Sequence, residues 1–485
     1  MLNSFIELRM RNKSKYLYVV IAGLISLSNH AQKTWTLKAC VDTAFKKNVA
    51  LNQGIISSDI NRYTLSQSKA ALLPNLNLTD NPNFTRGYAI DPYTYQYTNQ
   101  NLQVNNLSLN STVTLFNGYL LMNTVKQNRL VYDASIQTIE KLKNDLRLNV
   151  LAAYMQILMD YDAIDVSQSQ VDEDNVQVEQ TKKFVEFGKV AELNLFQIQS
   201  QLAADKLTKV NADNQLQLDK LTLLQLMEIP VKGDFEIERL PLKELLPEVP
   251  IPTDEIQKIA ENIMPQIKSA SLSTFAALYS LKMARSGWYP KLTMTGYLKT
   301  GYSSLRSNIT ENTLYQTETV GYLNGNPSQP VIGQVPYTSI SSQKESFQDQ
   351  FKSNFSQAVG FSLTVPIFNN LQVACSVAVA KANVKNAKLN ELQTRNDLRK
   401  SIETAYTNQV SSGKKLVATE EQMALEKETY RDMEKKYSVG ALDATSFLVE
   451  KNNYNKVSMS LIQAKYDYVL KAKIVDFYLG KPIIN

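Results

Sequence analysis

The sequence predicts an α+β membrane protein built from a duplicated unit of long coiled-coil helices and two β-strands. Three observations support this fold class. The chain repeats itself at a spacing of 252 residues, it contains strands that alternate apolar and polar residues, and it has helical segments too long for most globular domains to enclose. Since one chain has too few strands for a closed barrel, we expect a trimeric, 12-stranded β-barrel continued by an α-helical periplasmic tunnel.

The first 31 residues have the organisation of a secretory signal peptide. Four Lys and Arg residues precede an apolar run from Tyr16 to Leu27, and small or polar residues follow up to Ala31. The apolar run is too short to cross a bilayer as a helix. Removal of residues 1–31 lowers the formal charge from +6 to +3 and takes away the single histidine, His30. The basic composition therefore gives no indication of a nucleic-acid partner.

The composition argues against catalysis and metal binding. Without residues 1–31 the chain has no imidazole, and it has neither a Gly-rich phosphate loop nor a nucleophile motif. The two cysteines, Cys40 and Cys375, are too few for a disulfide framework. Cys40 lies within WTLKACVDTAFKKNVAL, whose apolar residues have helical spacing, so we expect a packing thiol there and no lipidation. We expect no enzyme, no catalytic residue, no cofactor and no metal site.

The repeat divides the mature chain into two copies of one unit. A shift of 252 residues aligns Phe116 with Phe368 and Gly188 with Gly440, and upstream a shift of 216 aligns LLPNLNL with WYPKLTM. A segment with five prolines separates the copies and rules out a continuous helix there. The predicted organisation is a signal peptide (1–31), a first repeat (32–228), a Pro-rich linker (229–255) and a second repeat (256–485) with a longer outer loop (303–357).

Each repeat contains a strand that is predicted to run directly into a long helix. Residues 107–115 and 359–367 alternate apolar and polar side chains, which fits either a half-buried strand of a soluble sheet or a lipid-facing strand of a barrel. The pattern alone leaves both readings open. The expected strand–helix joints are Phe116 and Asn117 in the first copy and Phe368 and Asn369 in the second.

Very long helical hairpins follow the joints. No Gly or Pro occurs between Gly118 and Gly188, so one helix there could extend about 100 Å at 1.5 Å per residue. Apolar residues recur every seven positions, as in the seam of a coiled coil, and the second copy breaks this spacing only at Gln409. The seam residues are Val150, Ile157, Ile164, Val171, Val178 and Val185 in the first arm, Ile402, Leu416, Met423, Tyr430 and Tyr437 in the second, and Phe447, Tyr454, Leu461, Tyr468 and Val475 in the arm that returns from it.

Taken together, these motifs resemble the TolC-like outer-membrane factor family of bacterial export systems over essentially all of the mature chain. The order and duplication of WTLKACVDTAFKKNVAL, the two strand entries, LFNG, VPIFNN and the Gly turns carry the resemblance. It implies a homotrimer in the outer membrane of a Gram-negative bacterium, in contact with outer-membrane lipid and with a large periplasmic portion. It also implies a passive exit duct for multidrug efflux or type I secretion. The implied partners are a periplasmic adaptor (membrane fusion protein) and, indirectly, an inner-membrane transporter of RND, ABC or MFS type.

The resemblance also points to the two Gly turns as the periplasmic tips that meet the adaptor. We expect Val190 and Leu442, beside the turn glycines, to be exposed apolar residues of this contact. The predicted tip residues are Phe187, Gly188, Lys189, Val190, Val439, Gly440, Ala441 and Leu442.

Acidic residues near the turns have two readings. In the best-known members of the family two Asp per chain constrict the tunnel mouth, and the corresponding positions here are Ser446 and Val449. Glu192 and Asp443 could supply an acidic ring instead, or they could be solvated carboxylates at helix N-termini.

One alternative to an export duct remains at this point. A periplasmic scaffold or adaptor without a membrane barrel would also carry coiled-coil hairpins, although the alternating strands and the duplication argue against it.

Overall fold

The computed structural model describes residues 34–93, 95–231, 235–239 and 252–482. The predicted signal peptide (1–31) and much of the predicted linker (229–255) therefore lie outside the described residues. The helices are α1 (Leu37–Lys47), α2 (Val49–Ala70), α3 (Leu120–Glu186), α4 (Glu192–Leu226), α5 (Thr253–Ile263), α6 (Pro265–Ser286), α7 (Phe347–Ser353), α8 (Gln372–Ser438) and α9 (Ala444–Tyr478). The strands are β1 (Asn77–Ile90), β2 (Tyr97–Asn117), β3 (Lys291–Ser303), β4 (Ser307–Tyr322), β5 (Pro330–Lys344) and β6 (Ser356–Thr364).

The element bounds confirm the duplication. Helices α3 and α8 each have 67 residues and begin 252 positions apart, and α4 and α9 each have 35 residues at the same shift. Helices α1 and α2 correspond in the same way to α5 and α6, at a shift of 216. At 1.5 Å per residue, each 67-residue helix extends about 100 Å, as predicted. The residues form two compact units, and each unit takes segments from both repeats.

One unit, residues 61–132 and 273–387, contains the strands. Four of them form an antiparallel sheet in the order β1-β2-β3-β6. The register places apolar side chains next to one another across the strands, so the alternation in the sequence becomes one continuous apolar face. Two rows of partners show this alignment: Leu78, Leu109 and Leu298 in one, and Val113, Met294 and Phe361 in the other.

The segment predicted as a longer outer loop (303–357) contains regular secondary structure. Strands β4 and β5 pair within it as a two-stranded antiparallel sheet, and helix α7 follows. The Gln350 side chain, on α7, exchanges two 2.9 Å hydrogen bonds with the backbone of Ser303 at the end of β3. Arg306 and Glu345 form an ion pair at 2.7 Å. These contacts attach the segment that contains β4 and β5 to the four-stranded sheet.

The two strand–helix joints differ in how far the strand extends toward the Phe-Asn pair. Strand β2 continues to Asn117, so Phe116 and Asn117 end the strand as expected. Strand β6 ends at Thr364, and Phe368 and Asn369 lie in the connection that follows it. Pro366 explains the early end, because it has no N–H to donate to a neighbouring strand.

Both joints nevertheless use the same backbone device. Gly118 and Tyr119 have φ of 63° and 65°, and Asn370 and Leu371, which are their counterparts at the 252-residue shift, have φ of 51° and 63°. Each joint therefore places two consecutive residues in the left-handed region before the long helix begins.

The other unit, residues 34–60, 133–272 and 388–482 as far as it is described, contains the coiled-coil hairpins. Its largest apolar cluster packs α1 against α3 and α4, with Tyr154 and Ile157 fully buried. The Tyr154 hydroxyl donates a hydrogen bond to the Glu238 carbonyl at 2.6 Å. A second cluster packs α5 against α8, and a third lies near the two Gly turns.

The predicted heptad seams lie at these interfaces. Among the seam residues, Val150, Ile157, Val171, Ile402, Leu416, Tyr430, Tyr437, Phe447 and Val475 are buried. The others are partly buried, and Gln409, which interrupts the apolar spacing, is buried as well. The arms of the second hairpin meet through stacked rings. The ring centroids of Tyr430 on α8 and Tyr454 on α9 are 4.7 Å apart.

Candidate functional site

Both helical hairpins turn through the same backbone motif. Gly188 and Gly440 adopt φ of 68° and 78°, the left-handed conformation that ends a helix in a Schellman motif. In the first turn Lys189 N donates to Phe184 O at 2.8 Å, and in the second Ala441 N donates to Lys436 O at 2.9 Å. These bonds satisfy carbonyl groups that the helix end would otherwise leave without partners.

The exposed apolar residues of the turns are not the two that the sequence indicated. Phe187 and Val439 are 76% and 78% exposed and occupy equivalent positions in the two turns. Val190 and Leu442 are only half-exposed, which corrects the prediction, and Leu442 packs against the buried cluster near the turns. This cluster includes Ile198 of α4 and Tyr430 of α8, which are distant from Leu442 in the sequence, so the local sequence does not reveal the partial burial of Leu442.

Asp443 caps a helix. Its side chain accepts hydrogen bonds from Ser446 N at 2.9 Å and from the Ser446 hydroxyl at 2.6 Å, at the first turn of α9. These bonds to the charged form hold the pKa of Asp443 below its usual value. In the first hairpin the equivalent position is Ala191, which makes no side-chain cap, and Glu192 is the first residue of α4. The geometry thus favours the helix-terminus reading for Asp443, and an acidic ring at the tunnel mouth stays a prediction.

An aromatic stack lies directly behind the second turn. The rings of Tyr437 and Phe447 are 4.5 Å apart and almost parallel. The Tyr437 hydroxyl and Thr181 Oγ1, which belongs to α3, are 2.9 Å apart, so this contact also joins the two hairpins. Burial raises the pKa of the Tyr437 hydroxyl above its usual value.

Farther from the turns, the hairpins enclose charged residues that the sequence reading missed. Lys451 of α9 forms a buried ion pair with Asp174 of α3, and Asp205 of α4 lies beside them. Asp160 is a further buried carboxyl group of α3. The signal was present in the sequence, because Asp160 and Asp174 each stand three residues after a seam residue, which is the second core position of a heptad.

The described residues also include candidate metal-ligating side chains and the thiol of Cys40. No group of three or more His, Cys, Asp and Glu residues that could hold a metal ion occurs there. Cys40 is buried, and burial raises the pKa of its thiol to about 12, which keeps it unreactive. No helix in the described ranges is both long and apolar enough to cross a membrane.

The comparisons with known proteins agree with one another. The outer membrane efflux protein family matches residues 41–227 and 332–481. Outer membrane protein TolC of Escherichia coli (strain K12) is 21% identical over 479 residues, which span 96% of this chain and 86% of TolC. Among solved structures, CusC has a TM-score of 0.74 and 15% identity, with 92% of each chain covered. The Neisseria gonorrhoeae MtrE outer membrane channel, described in its open state, has a TM-score of 0.70 and 17% identity, with coverage of 92% of this chain and 89% of that chain.

The chain belongs to the outer membrane efflux protein family.

Membership of this family establishes the location and the general function of the chain. The chain is an outer-membrane exit channel of a tripartite efflux system, and it lies in a Gram-negative outer membrane with a large periplasmic portion. The family is one of conduits and not a class of enzymes. The family membership therefore overturns the alternative of a periplasmic scaffold without a membrane part. The solved structures show that the duplicated α+β fold is shared with other channels.

Proposed function

We propose that three copies of this chain assemble into one channel and that the turns of its two hairpins contact a periplasmic adaptor, a membrane fusion protein. In this proposal the adaptor connects the channel to an inner-membrane transporter of RND, ABC or MFS type, which the chain contacts only indirectly. The proposed process is efflux, in agreement with the family that the chain matches.

Support for the assembly comes from the edges of the sheet. Strands β1 and β6 each have one strand neighbour among the described residues, so each presents a row of backbone groups at an edge. Within lipid an unpaired backbone group costs several kcal/mol, so edges of this kind are paired in membrane proteins. Three copies of the four-stranded sheet supply twelve strands, an even number within the range of bacterial barrels. The apolar face that includes Leu109 and Phe361 then meets outer-membrane lipid.

The observation that carries the adaptor contact is the exposure of Phe187 and Val439. A large apolar side chain stands free at the same position of both turns, and neither takes part in the buried cluster behind them. Exposed apolar groups that recur in this way are typical of surfaces that bind another protein. The remaining predicted tip residues, Gly188, Lys189, Val190, Gly440, Ala441 and Leu442, complete the proposed surface.

One experiment tests both parts of the proposal. We expect Phe187→Asp combined with Val439→Asp to leave trimer level and membrane location unchanged, because these side chains hold nothing together within the chain. Export is expected to fall to the level of a strain without the protein, because each charge would enter an apolar contact without a partner. Cross-linking in detergent measures the trimer, and sensitivity to the compounds that the intact system removes measures export.

Two matched variants complete the test. Phe187→Leu with Val439→Ile keeps both side chains apolar and is expected to retain export. Phe361→Arg, on the apolar face of the sheet, is expected to abolish assembly, since an arginine facing lipid costs about 2–4 kcal/mol at the bilayer midplane. Unchanged export in the double Asp variant would show that the adaptor binds elsewhere, and recovery of only monomers of the native chain would overturn the trimer.

A further inference from the structure

The arm α3 carries small or polar residues at the second core position of its heptads. Two of them are aspartates, Asp160 and Asp174, which are two heptads apart. Both are buried, with 5% and 0% exposure. An aspartate at a core position of a coiled coil is destabilising unless its charge is compensated or neutralised.

The facing arm α4 carries an aspartate opposite each of them. Asp219 faces Asp160 within hydrogen-bond range, and Asp205 faces Asp174 in the same way. The residue numbers of both pairs add to the same value, so the two pairs occupy one antiparallel register. Each pair therefore places two carboxyl groups across the interface between the arms of the first hairpin.

In the Asp160–Asp219 pair, glutamine amide groups of the same helices donate a hydrogen bond to one oxygen of each carboxyl group. Gln156 Nε2 donates to Asp160 Oδ1 at 3.2 Å, and Gln215 Nε2 donates to Asp219 Oδ2 at 2.9 Å. Asp160 Oδ2 is buried and accepts no hydrogen bond from any group in the described part of the chain. Two ionised carboxylates would therefore face each other in this pair without a hydrogen between them, and one added proton would supply the missing hydrogen bond.

Charged groups near this pair are engaged with other residues. Lys220, beside Asp219 on α4, bonds to Glu236 at 2.9 Å. On α9, Lys471 bonds to Asp467 at 2.8 Å, and Asp467 and Lys415 of α8 line a cavity next to Gln156. No ion pair between a Lys or Arg and Asp160 occurs among the described residues.

The second, the Asp174–Asp205 pair, has one cation for two carboxyl groups. Lys451 donates to Asp174 Oδ1, and Gln201 Nε2 donates to Asp205 Oδ1 at 3.1 Å. The Oδ2 atoms of both aspartates are buried without a hydrogen-bond partner in the described ranges. Two acceptors that face each other without a hydrogen repel, and one proton between them turns the repulsion into a hydrogen bond.

Further titratable groups surround this second pair. Glu173 of α3 accepts a 3.5 Å hydrogen bond from the Tyr430 hydroxyl of α8, and burial raises the pKa of Glu173. Glu434 of α8 raises it further, whereas Lys451 lowers it. The single positive charge of Lys451 thus serves several acidic groups, which favours a proton on the Asp174–Asp205 pair.

Electrostatics agree with this geometry. Burial raises the pKa of Asp160 to about 7, and the hydrogen bond with Asp219 and its charge add to the effect. Burial likewise raises the pKa of Asp174 to about 7, with Asp205 acting in the same direction and Lys451 against it. Two carboxyl groups that share a site in this way lose their protons in two steps, and repulsion shifts the second step to higher pH.

We propose that each aspartate pair binds one shared proton and that these two protons join the arms of the first hairpin, so that alkaline pH loosens it. Each proton comes from water when the hairpin closes and returns to water when the pair ionises. The unfolded carboxyl group titrates near pH 4 and the folded one at a higher pH. The contribution to stability is therefore complete below about pH 4 and is lost as the pH rises through about 7.

The second hairpin has no aspartate pair at the equivalent positions, although Glu426 of α8 and Glu450 of α9 form a carboxyl pair elsewhere in it. At the 252-residue shift, Asp160 and Asp219 correspond to Ser412 and Lys471. Asp174 and Asp205 correspond to Glu426 and Val457, so neither pair is reproduced. Glu426 and Glu450 are only partly buried, whereas Asp160 and Asp174 are buried, so the second hairpin serves as a reference with the weaker pH dependence.

Infrared spectroscopy of the full chain in detergent tests the proton. The carbonyl band of protonated carboxyl groups is expected to lose intensity with a midpoint near pH 7, by an amount equal to two carboxyl groups per chain. Asp160→Asn combined with Asp174→Asn is expected to remove this loss. Asp172→Asn is the matched control, because Asp172 also accepts from a glutamine four residues earlier, Gln168, but is exposed and should leave the loss intact.

Hydrogen exchange, corrected for the intrinsic effect of pH, tests the loosening. Protection in α3 and α4 is expected to fall at least tenfold between about pH 6 and pH 9 relative to α8 and α9, since the shared proton, with a closed-state pKa of about 7, stabilises the closed hairpin about tenfold at pH 6 and no longer does so at pH 9. Asp219→Asn, which keeps a hydrogen bond without a titrating group, is expected to reduce this difference. Absence of the neutral-pH infrared loss in the native chain, or equal pH dependence in both hairpins, would overturn the proposal.

Discussion

The two hairpins of this efflux protein share a backbone and differ in what holds their arms together. Their long arms and their return arms have equal lengths, and both turns end in the same left-handed glycine motif. The second hairpin has a helix cap at Asp443 and stacked rings at Tyr437 and Phe447. The first has an uncapped Ala191 at its turn and pairs of aspartates, with Asp160 and Asp174 buried, in its interface.

This difference shows which features a duplicated fold requires. Helix length and turn geometry fix where the arms end, so both copies retain them. The contacts inside each interface need only fill space and satisfy polar groups, so apolar rings can do in one copy what protonated carboxyl groups do in the other. We therefore expect the two hairpins to respond differently to the same perturbation.

The largest effect is expected from Lys451→Met. This variant removes the only cation that bonds to Asp174 among the described residues and leaves buried acidic groups behind. Breaking a buried ion pair by removing one partner costs about 3–5 kcal/mol. We expect a lower thermal unfolding temperature in detergent, measured by circular dichroism, with a larger decrease at alkaline pH.

Lys456→Met is the control for this variant, because Lys456 is an exposed residue of the same helix. Its effect is expected to stay within about 0.5 kcal/mol. If Lys451→Met unfolded at the same temperature as Lys456→Met, the ion pair would not stabilise the hairpins. The two hairpins would then not differ through this electrostatic contact.

A medium and equal effect is expected from Gly188→Ala and Gly440→Ala. Both glycines have positive φ, and the space beside each is open, so the strain of a Cβ in the left-handed conformation is the only new term. That strain is worth roughly 1–2 kcal/mol. Protease sensitivity at each turn is expected to increase by the same factor, and a clear inequality would show that the turns differ beyond their caps.

The smallest effect is expected from exchanging the caps. Asp443→Ala should speed amide exchange in the first turn of α9, and Ala191→Asp should slow it in the first turn of α4. Because hydrogen bonds from Ser446 lower the pKa of Asp443, its contribution is present above the usual range of an aspartate and is lost as the pH falls through the lowered value. An effect of Ala191→Asp that did not weaken in acid would indicate a contact other than a cap.

Long-range periodicity made the helical part of the fold predictable. The absence of Gly and Pro between Gly118 and Gly188 and the seven-residue spacing predicted α3, and the duplication then predicted α8. The alternation in β2 and β6 predicted the strands, and the pairing register confirmed the apolar face. Each of these signals extends over many residues, so single exceptions such as Gln409 did not disturb it.

Features that depend on contacts between distant segments were not predictable in this way. Strands β4 and β5 mix apolar and polar residues on both faces and are exposed along most of their length, so no alternation distinguished them from a loop. Leu442 was expected to be exposed, but contacts with the aromatic cluster withdraw it and leave Val439 at the surface. The aspartates of α3 look like surface residues until the facing arm brings a second aspartate against each of them.

The equal arm lengths limit how the gene can change. Contacts between the hairpins, such as Gln201 with Asn452 and Gln197 with Thr445, join residues at nearly equivalent positions of the two copies. An insertion in one arm alone would displace one turn relative to the other and break this correspondence. We therefore expect viable relatives of different length to have gained or lost residues in all four arms together, in steps of about seven that preserve the heptad seam.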